Sequence, residues 1–403
     1  MPWKTTSVMD EKLKFIAEWL QGEEPRSVLC ERYGISRETG YQWWRRYCAE
    51  GSPGLEERSR APHSNSRSMS AAVAVALIER RQARPHWGPK KILAVLARDW
   101  PDWHWPSPSA VSDLFRREGL SAPRRRRRRV LTVEQPFAQV EAANDAWCID
   151  FKGWFRTGDG LRRDPLTVTD AHSRYLLGLR IIDPVGVAVQ AEVDELFRCH
   201  GLPRSMRSDN GPPFASTGAG GLTRVSARWA KLGIQLDRIY PGKPYQNGRH
   251  ERMHLTLKRE ACRPAEADGL AQQARFDAFR EEFNHERPHE ALGQVQPARV
   301  YQPSNRPMPD VIPEPCYDRD EEVRRVRSTG EIRWQGGLLF VSEALIGEPV
   351  AIREREDGHH LVRFCDVPLL LIDRNTGEAA RFGPGRPPRT KAAPQHTNKV
   401  SGM

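Results

Sequence analysis

The stretch Trp147–Phe155, WCIDFKGWF, alternates the large apolar side chains Trp147, Ile149 and Phe151 with Cys148 and Asp150. A period of two marks a strand with one buried face. Aspartate is disfavoured within strands, so Asp150 calls for a reason. Outward from this stretch, PLTVTD (165–170) and YLLGLRII (175–182) read as two more strands joined at AHSR. Val185–Cys199 reads as a helix. SMRSDNGPPF (205–214) is a short strand that ends at Asp209, where Asn210-Gly211 turns the chain. A helix with Val225, Trp229 and Leu232, a strand through Ile234, Leu236 and Ile239, and a helix over Leu270–Asn284 complete a mixed α/β domain.

Between the last strand and the last helix lies PGKPYQNGRHERMHLTLKRE (241–260). Pro241, Gly242, Pro244, Asn247 and Gly248 mark a loop that runs into a basic helix. On that helix Glu251, His254, Leu255 and Lys258 share one face, because residues three, four and seven apart stack. Taken alone, this is equally the outer face of a solvated helix.

The chain has 403 residues, enough for about three domains. Its net charge is +11, and the excess is concentrated, with six consecutive arginines at Arg124–Arg129. A patchy basic surplus is a footprint for nucleic acid or another polyanion. No apolar run approaches the ~20 residues of a membrane span, and no signal-peptide core opens the sequence. The seven cysteines are scattered singly with no C-x-x-C pair. That argues against a cysteine-rich zinc site or a disulfide scaffold and fits a reducing cytoplasm.

Upstream, Asp10 is expected to cap a first helix carrying Leu13, Ile16 and Leu20. A second helix runs through Val28, Leu29 and Tyr33. Gly34 then makes a turn and Ser36 caps a third helix to Tyr47, which is the helix-turn-helix pattern. Arg37, Thr39, Gln42, Arg45 and Arg46 are its candidate DNA-contacting residues, with donors suited to base edges and phosphates. A plain three-helix bundle is the alternative. Gly51–Arg67 is a linker rich in Ser, Pro and Arg. Met69–Leu120 reads as a second helix-turn-helix-like unit, with Ser107 or Ser109 capping its last helix. The arginine run that follows is the other candidate DNA contact: Arg124, Arg125, Arg126, Arg127, Arg128 and Arg129. Like charges this dense repel one another, so the run stays extended until it meets phosphate.

At the other end, Pro303–Pro315 is a Pro-rich linker. EIRWQGGLLFVS, EPVAIREREDGHHLVRFC and PLLLID follow as short strands with Asp357-Gly358 as a hairpin turn. They predict a small SH3-like β-barrel, and the residues from Glu378 predict a disordered basic tail. The expected boundaries are 1–60, 61–130, 131–305, 306–377 and 378–403.

WCIDFKG, SDNGPPF and PYQNGRHERMHLTLK, in that order, together with HWGPKK and NHERPHEAL, resemble the bacterial insertion-sequence transposases of the retroviral-integrase superfamily. The resemblance runs from Met1 to about Tyr301. It implies an RNase H-like core of five mixed strands flanked by helices, and it aligns the family's catalytic Asp-Asp-Glu with Asp150, Asp209 and Glu251. Lys258 aligns with the lysine that follows the catalytic glutamate. The resemblance implies two Mg²⁺ ions, with Mn²⁺ as a substitute, held by Asp150, Asp209 and Glu251. Oxygen donors suit such hard ions. It further implies binding to double-stranded DNA at element ends and target, release of 3′-hydroxyl ends, their transfer to target DNA, and a homo-oligomer of at least two copies. The competing reading is a catalytically silent, transposase-derived DNA-binding regulator. The Asp209–Glu251 spacing exceeds the family's usual one, and the glycine-rich STGAGGLTR is the expected insertion. Other acids and imidazoles compete for roles. Asp170 is read as a turn former, Glu260 as a rival acid without the preceding Asn-Gly turn, and His285 and His289 as packing or phosphate contacts. His254 is read as a DNA or packing residue.

Overall fold

The computed structural model describes residues 7–58, 69–121, 137, 139–240 and 244–383. Arg124, Arg125, Arg126, Arg127, Arg128 and Arg129, expected as phosphate contacts, lie outside the described residues. So do the loop residues Pro241 and Gly242 and most of the expected basic tail. Two compact units emerge, Met1–Met69 and Ser70–Met403.

The first unit holds α1 (Val8–Gln21), α2 (Arg26–Arg32) and α3 (Arg37–Glu50). Ser7, not Asp10, is the N-cap of α1. The Ser7 hydroxyl accepts from Asp10 N while the Asp10 carboxylate accepts from Ser7 N, a capping box that satisfies two otherwise orphaned donors. Ser36 caps α3 as expected. Phe15, Ile16, Trp19, Leu29, Cys30 and Leu55 form the core. Gly40 lets α3 pack closely on it, since a Cβ there would sit 2.7 Å from Cys30 Sγ and 3.0 Å from the Phe15 ring.

The second unit begins with α4 (Ala71–Ala83), α5 (Pro89–Asp99) and α6 (Pro108–Arg117), the last capped by Ser107. The next strands are β1 (Ala146–Phe151), a short ribbon of β2 (Phe155–Arg156) and β3 (Arg162–Arg163), then β4 (Pro165–Asp170) and β5 (Leu176–Ile181). After α7 (Gly186–His200) come β6 (Ser205–Ser208), α8 (Arg224–Lys231), β7 (Gln235–Arg238), α9 (Gly248–Glu260) and α10 (Gly269–Glu281). Five strands make one sheet in the order β5-β4-β1-β6-β7. The β5-β4-β1 part is antiparallel, and β6 and β7 run parallel to β1. Trp147 and Ile149 enter the core beside Val193, Phe197 and Trp229 of α7 and α8. On another side, Met253 and Leu257 of α9 pack with Leu176, Leu179 and Phe276. The expected mixed α/β core is present.

The stretch expected as a free linker is instead fastened to the core. Leu202 N donates to Arg306 O, the Arg306 guanidinium donates to Pro203 O and Leu232 O, and Met308 and Ile312 pack on the main cluster. Beyond it lie β8 (Glu322–Arg325), the hairpin β9 (Glu331–Trp334) and β10 (Gly337–Phe340), then β11 (Pro349–Glu354), β12 (His360–Phe364), β13 (Val367–Ile372) and β14 (Ala379–Arg381). Asp357-Gly358 makes the expected turn, with Gly358 at φ +79°. The region is all-β, but the expected closed barrel is not what forms. The sheet β14-β13-β12-β11-β8 is open, and β9 and β10 pair apart from it. Its apolar face is filled from outside: Ala219, Leu222, Ala227 and Ala230 of the core join Val350, Ile352, Val362 and Leu369 in one cluster. The glycine-rich insertion forms part of this seam. Gly220, at φ +65°, lies so close that a Cβ would meet the Leu369 side chain at 2.8 Å. The predicted tail boundary also moves, because Ala379–Arg381 pairs with Leu370–Ile372.

Candidate active site

Parallel strands leave a crevice beyond their carboxyl ends, where the neighbouring connections part. Pairing of β1 with β6 runs from Ala146 to Cys148 and stops. Asp150 therefore projects past the last β6 pair, still held by β4 through Thr167. β6 ends at Ser208, so Asp209 begins the loop at the same end of the sheet. Glu251 sits in the first turn of α9. Asp150 is half-buried, while Asp209 and Glu251 are exposed.

Electrostatics brings the three together. Burial and then the negative charge of Asp209, with a smaller push from Glu251 and against the Phe151 amide, raise the Asp150 carboxyl to about 7. Like charges gathered on one crevice disfavour the ionised form of the most buried member. Asn247 Nδ2, from the turn entering α9, reaches Asp150 Oδ2 at 3.5 Å. The Asp209 carboxylate accepts from Gly211 N, and Asn210 Nδ2 donates to Ile239 O, tying the Asp209 loop to the chain after β7.

Two histidines of α9 lie beneath this surface, and they were not legible as such. Thr167 Oγ1 donates to Asp150 O at 2.9 Å and lies 2.7 Å from both His250 Nε2 and His254 Nε2. A hydroxyl has one proton and two acceptor pairs. With its proton on the carbonyl, both imidazoles donate, and His250 Nδ1 accepts from Thr169 Oγ1 at 2.8 Å. Burial holds His250 neutral well below its ordinary range, and burial with the Lys152 charge lowers His254 to about 4. Asp150, His250 and His254 offer ligand atoms within 4.8 Å of one another. The bonds to Thr167 and Thr169 engage both Nε2 atoms and His250 Nδ1. His254 is half-buried, with Nε2 on Thr167, and its side chain also lines the cleft that holds Glu251 and Lys258.

The remaining candidates separate clearly. Asp170 is buried and accepts from Asn144 N, Ser173 N and Ser173 Oγ, the work of a turn former. Glu260 is ion-paired with Arg287. His289 N pairs with Val295 O, and burial lowers its imidazole to about 4. Lys258 is exposed on the α9 face that carries Glu251. Arg238 was missed by the sequence reading. It is half-buried beside Asp209 and Asp237, donates to Ser208 Oγ at 2.7 Å, and is lowered to about 10 by burial despite those charges. In α3, Arg37, Gln42 and Arg45 are exposed. Arg46 donates to Glu56 O, and the Thr39 hydroxyl faces Ser36 Oγ at 2.9 Å.

Residues 140–244 and 232–297 match two models of the integrase core domain. Residues 11–63 match a helix-turn-helix domain, and residues 39–115 a homeodomain-like domain. A 31.7 kDa protein of insertion element IS407 from Burkholderia multivorans is 29% identical over 230 residues, covering 56% of this chain and 79% of that protein. A 39.2 kDa protein of insertion element IS476 from Xanthomonas euvesicatoria is 26% identical over 232 residues, 57% of this chain and 64% of that one. The chain thus carries an integrase core domain and is similar to proteins encoded by insertion elements. Its helix-turn-helix domains make it a DNA-binding protein. Among solved structures, the HTLV-2 integrase catalytic core aligns with 40% of the chain and 98% of its own length at 12% identity and TM-score 0.32. A simian T-cell lymphotropic virus intasome aligns with 79% of the chain and all of its own at 14% and 0.35. At these scores the likeness is too distant to bear on the site. No helix among the described residues is long and apolar enough to cross a membrane.

Proposed function

We propose that this chain is an active DNA transposase that binds the ends of its own element, cuts them to free 3′-hydroxyls and joins those hydroxyls to target DNA. The observation that carries the reading is the carboxylate crevice: Asp150 is raised to about 7 by burial and by the charges of Asp209 and Glu251. A fold does not gather three acids at one sheet end for stability, since each repels the others. A divalent cation offsets that repulsion, and the three carboxylates fit one, because hard ions such as Mg²⁺ take oxygen donors. Asp150, Asp209 and Glu251 would hold two such ions, with Mn²⁺ as a substitute. When bound, such ions activate an oxygen nucleophile and neutralise charge on a phosphoryl group.

The protein's own groups do the rest. Asn247 and Thr167 fix Asp150 from either side. The neutral His250 and His254 keep Thr167 in place without adding charge to the crevice. Lys258 grips a phosphate near the scissile bond, and Arg37, Gln42 and Arg45 of α3 meet DNA. In the first step a water oxygen bonds to phosphorus as the P–O3′ bond breaks, leaving a 3′-hydroxyl and a 5′-phosphate. In the second, that hydroxyl oxygen bonds to a target phosphorus and displaces the target's own O3′. Joining two ends at one target requires at least two copies.

The first check is for short inverted repeats flanking the gene, and the test uses duplexes that carry them. Wild type with Mg²⁺ should nick at the repeat end and transfer it to a plasmid. Asp150→Asn, Asp209→Asn and Glu251→Gln should each bind the repeats and fail to cut. Full cutting by any of the three removes the assignment. A wild type that binds the repeats and never cuts makes the protein a regulator.

A further inference from the structure

Next to the carboxylates lies a cleft of about 380 Å³ with Glu251 at its rim. Its walls include Lys152, Trp154, Phe155, Leu255, Lys258 and Arg263. Two features set this cleft apart from an ordinary surface dent. Trp154 is 57% and Leu255 47% exposed, so apolar surface faces water beside the most polar part of the molecule. Around that surface stand cations, and among the described residues no carboxylate pairs with Lys152, Lys258 or Arg263. The Lys152 ammonium lies 5.3 Å from the Phe155 ring centre. Lys152 and Lys258 converge on Cys262, whose thiol is raised by burial and drawn back down by both ammonium charges.

The chain holds Trp154 where it is. Lys152 N donates to Pro165 O, which binds the segment after β1 to the start of β4. The guanidinium carbons of Arg156 and Arg162 lie 5.8 and 5.6 Å from the Trp154 ring centre, and Arg162 is itself fixed by two hydrogen bonds to Asp164. The indole is thus braced by the β2–β3 ribbon while more than half of it stays open. Buttressed aromatic surface beside unpaired cations is how proteins hold single strands: a base stacks on the ring and its phosphate meets the cations. The cleft lies within the ~300–1,000 Å³ typical of sites for small ligands, which admits a nucleotide and excludes a duplex.

We propose that Lys152, Trp154 and Lys258 form a seat for one unpaired nucleotide at the DNA end, its base against the indole and its phosphate on the two ammonium groups. Lys152 and Trp154 are then strand-positioning residues. The proposal rests on the transposase reading, since it supplies the reason for an end to sit beside Glu251. Opening the last base pair at this seat leaves the strand to be cut beside the carboxylates and carries its neighbour away.

The test compares two probes on the full chain: a blunt duplex, and the same duplex with a short 5′ tail carrying 2-aminopurine, whose emission falls on stacking. Wild type should quench the tail and bind the tailed duplex about tenfold more tightly than the blunt one, the scale of one base–aromatic stack. Trp154→Ala should lose both effects and Trp154→Phe should keep most of them. Lys152→Ala should lower the slope of affinity against salt by about one unit, as for a lost phosphate contact. Thermal melting of each variant reports that it is folded, and a 57% exposed ring makes little demand on the core. If Trp154→Ala quenches and discriminates like wild type, or wild type treats both probes alike, the seat is wrong. The same preparations go through the cutting assay. Cutting without tail preference removes the seat alone. Tail preference without cutting removes the transposase reading and leaves the seat as a single-strand site.

Discussion

The two ends of α9 carry glutamates with opposite fates. Glu251, in the first turn, is exposed and faces two other acids across the crevice. Glu260, at the last turn, is almost buried, with Arg287 Nη1 2.5 Å from its carboxylate and Arg287 itself stacked over Trp87. The helix dipole favours an acid at the first end and a cation at the second, so Glu260 owes its place to Arg287 rather than to the helix. An acid that stabilises the fold comes with its cation. An acid kept for chemistry is left without one, among others of its kind. The difference separates the two on physical grounds where spacing in the sequence does not.

The comparison breaks most visibly in activity. Glu251→Gln should lower Mg²⁺-dependent cleavage at least about a hundredfold, the scale of losing one charge-stabilising group at a reacting centre. Its melting temperature should stay level or rise, because a repulsion is removed. A fall in stability with cutting intact would reverse the assignment of the two ends. Next comes the opposite end. Arg287→Met strands a buried carboxylate and should cost about 3–5 kcal/mol in urea unfolding, the range for breaking a buried ion pair. The double change with Glu260→Met should recover much of that loss. If the single variant unfolds like wild type, the pair does not hold this end.

Acid sharpens the contrast further. His250, His254 and His289 are held neutral by burial, the last two at about 4 and His250 well below its ordinary range. Between about 4 and 6.5 the unfolded chain binds protons that the folded chain refuses. The histidine contribution to stability is therefore complete above 6.5 and falls as the pH drops, by about 1.4 kcal/mol per pH unit for each such group, with Asp150, raised to about 7, opposing it by one group. Urea midpoints between pH 7 and pH 4.5 measure it, and His289→Asn should flatten the slope. A flat wild-type profile would show these rings charging freely in the fold. The smallest effect belongs to the first unit. Arg45→Ala should weaken DNA binding by about 1–3 kcal/mol and leave melting unchanged. Arg46→Ala should do the reverse, since its guanidinium holds Glu56 O.

What could be read in advance followed from short-range rules. Alternation exposed β1, hydroxyl caps placed α3 and α6, and Asp357-Gly358 placed a hairpin. The order of three acid-bearing motifs also led to one crevice. Long-range partners were not legible. Nothing in GRHERMH says that His250 fits between two threonines of β4, because that depends on α9 crossing this strand and not another. The pairing of Glu260 with Arg287 spans a helix and a loop. The linker 303–315 reads as loose by composition, yet Arg306 finds three carbonyls on the core. The barrel failed to close for a related reason: local strand signals do not say whether a sheet curls on itself or leans on a neighbour.

That leaning sheet sets a limit on where the chain can be shortened. Val350, Ile352, Val362 and Leu369 share their cluster with Ala219, Leu222, Ala227 and Ala230, and Lys231 Nζ meets Glu348 at 2.8 Å across the same seam. A chain cut before Glu322 would uncover an oily flank on the very helix, α8, that braces Trp229 in the central core. The C-terminal strands are the missing wall of the catalytic domain, so a fragment meant to isolate that domain must carry them to Arg381.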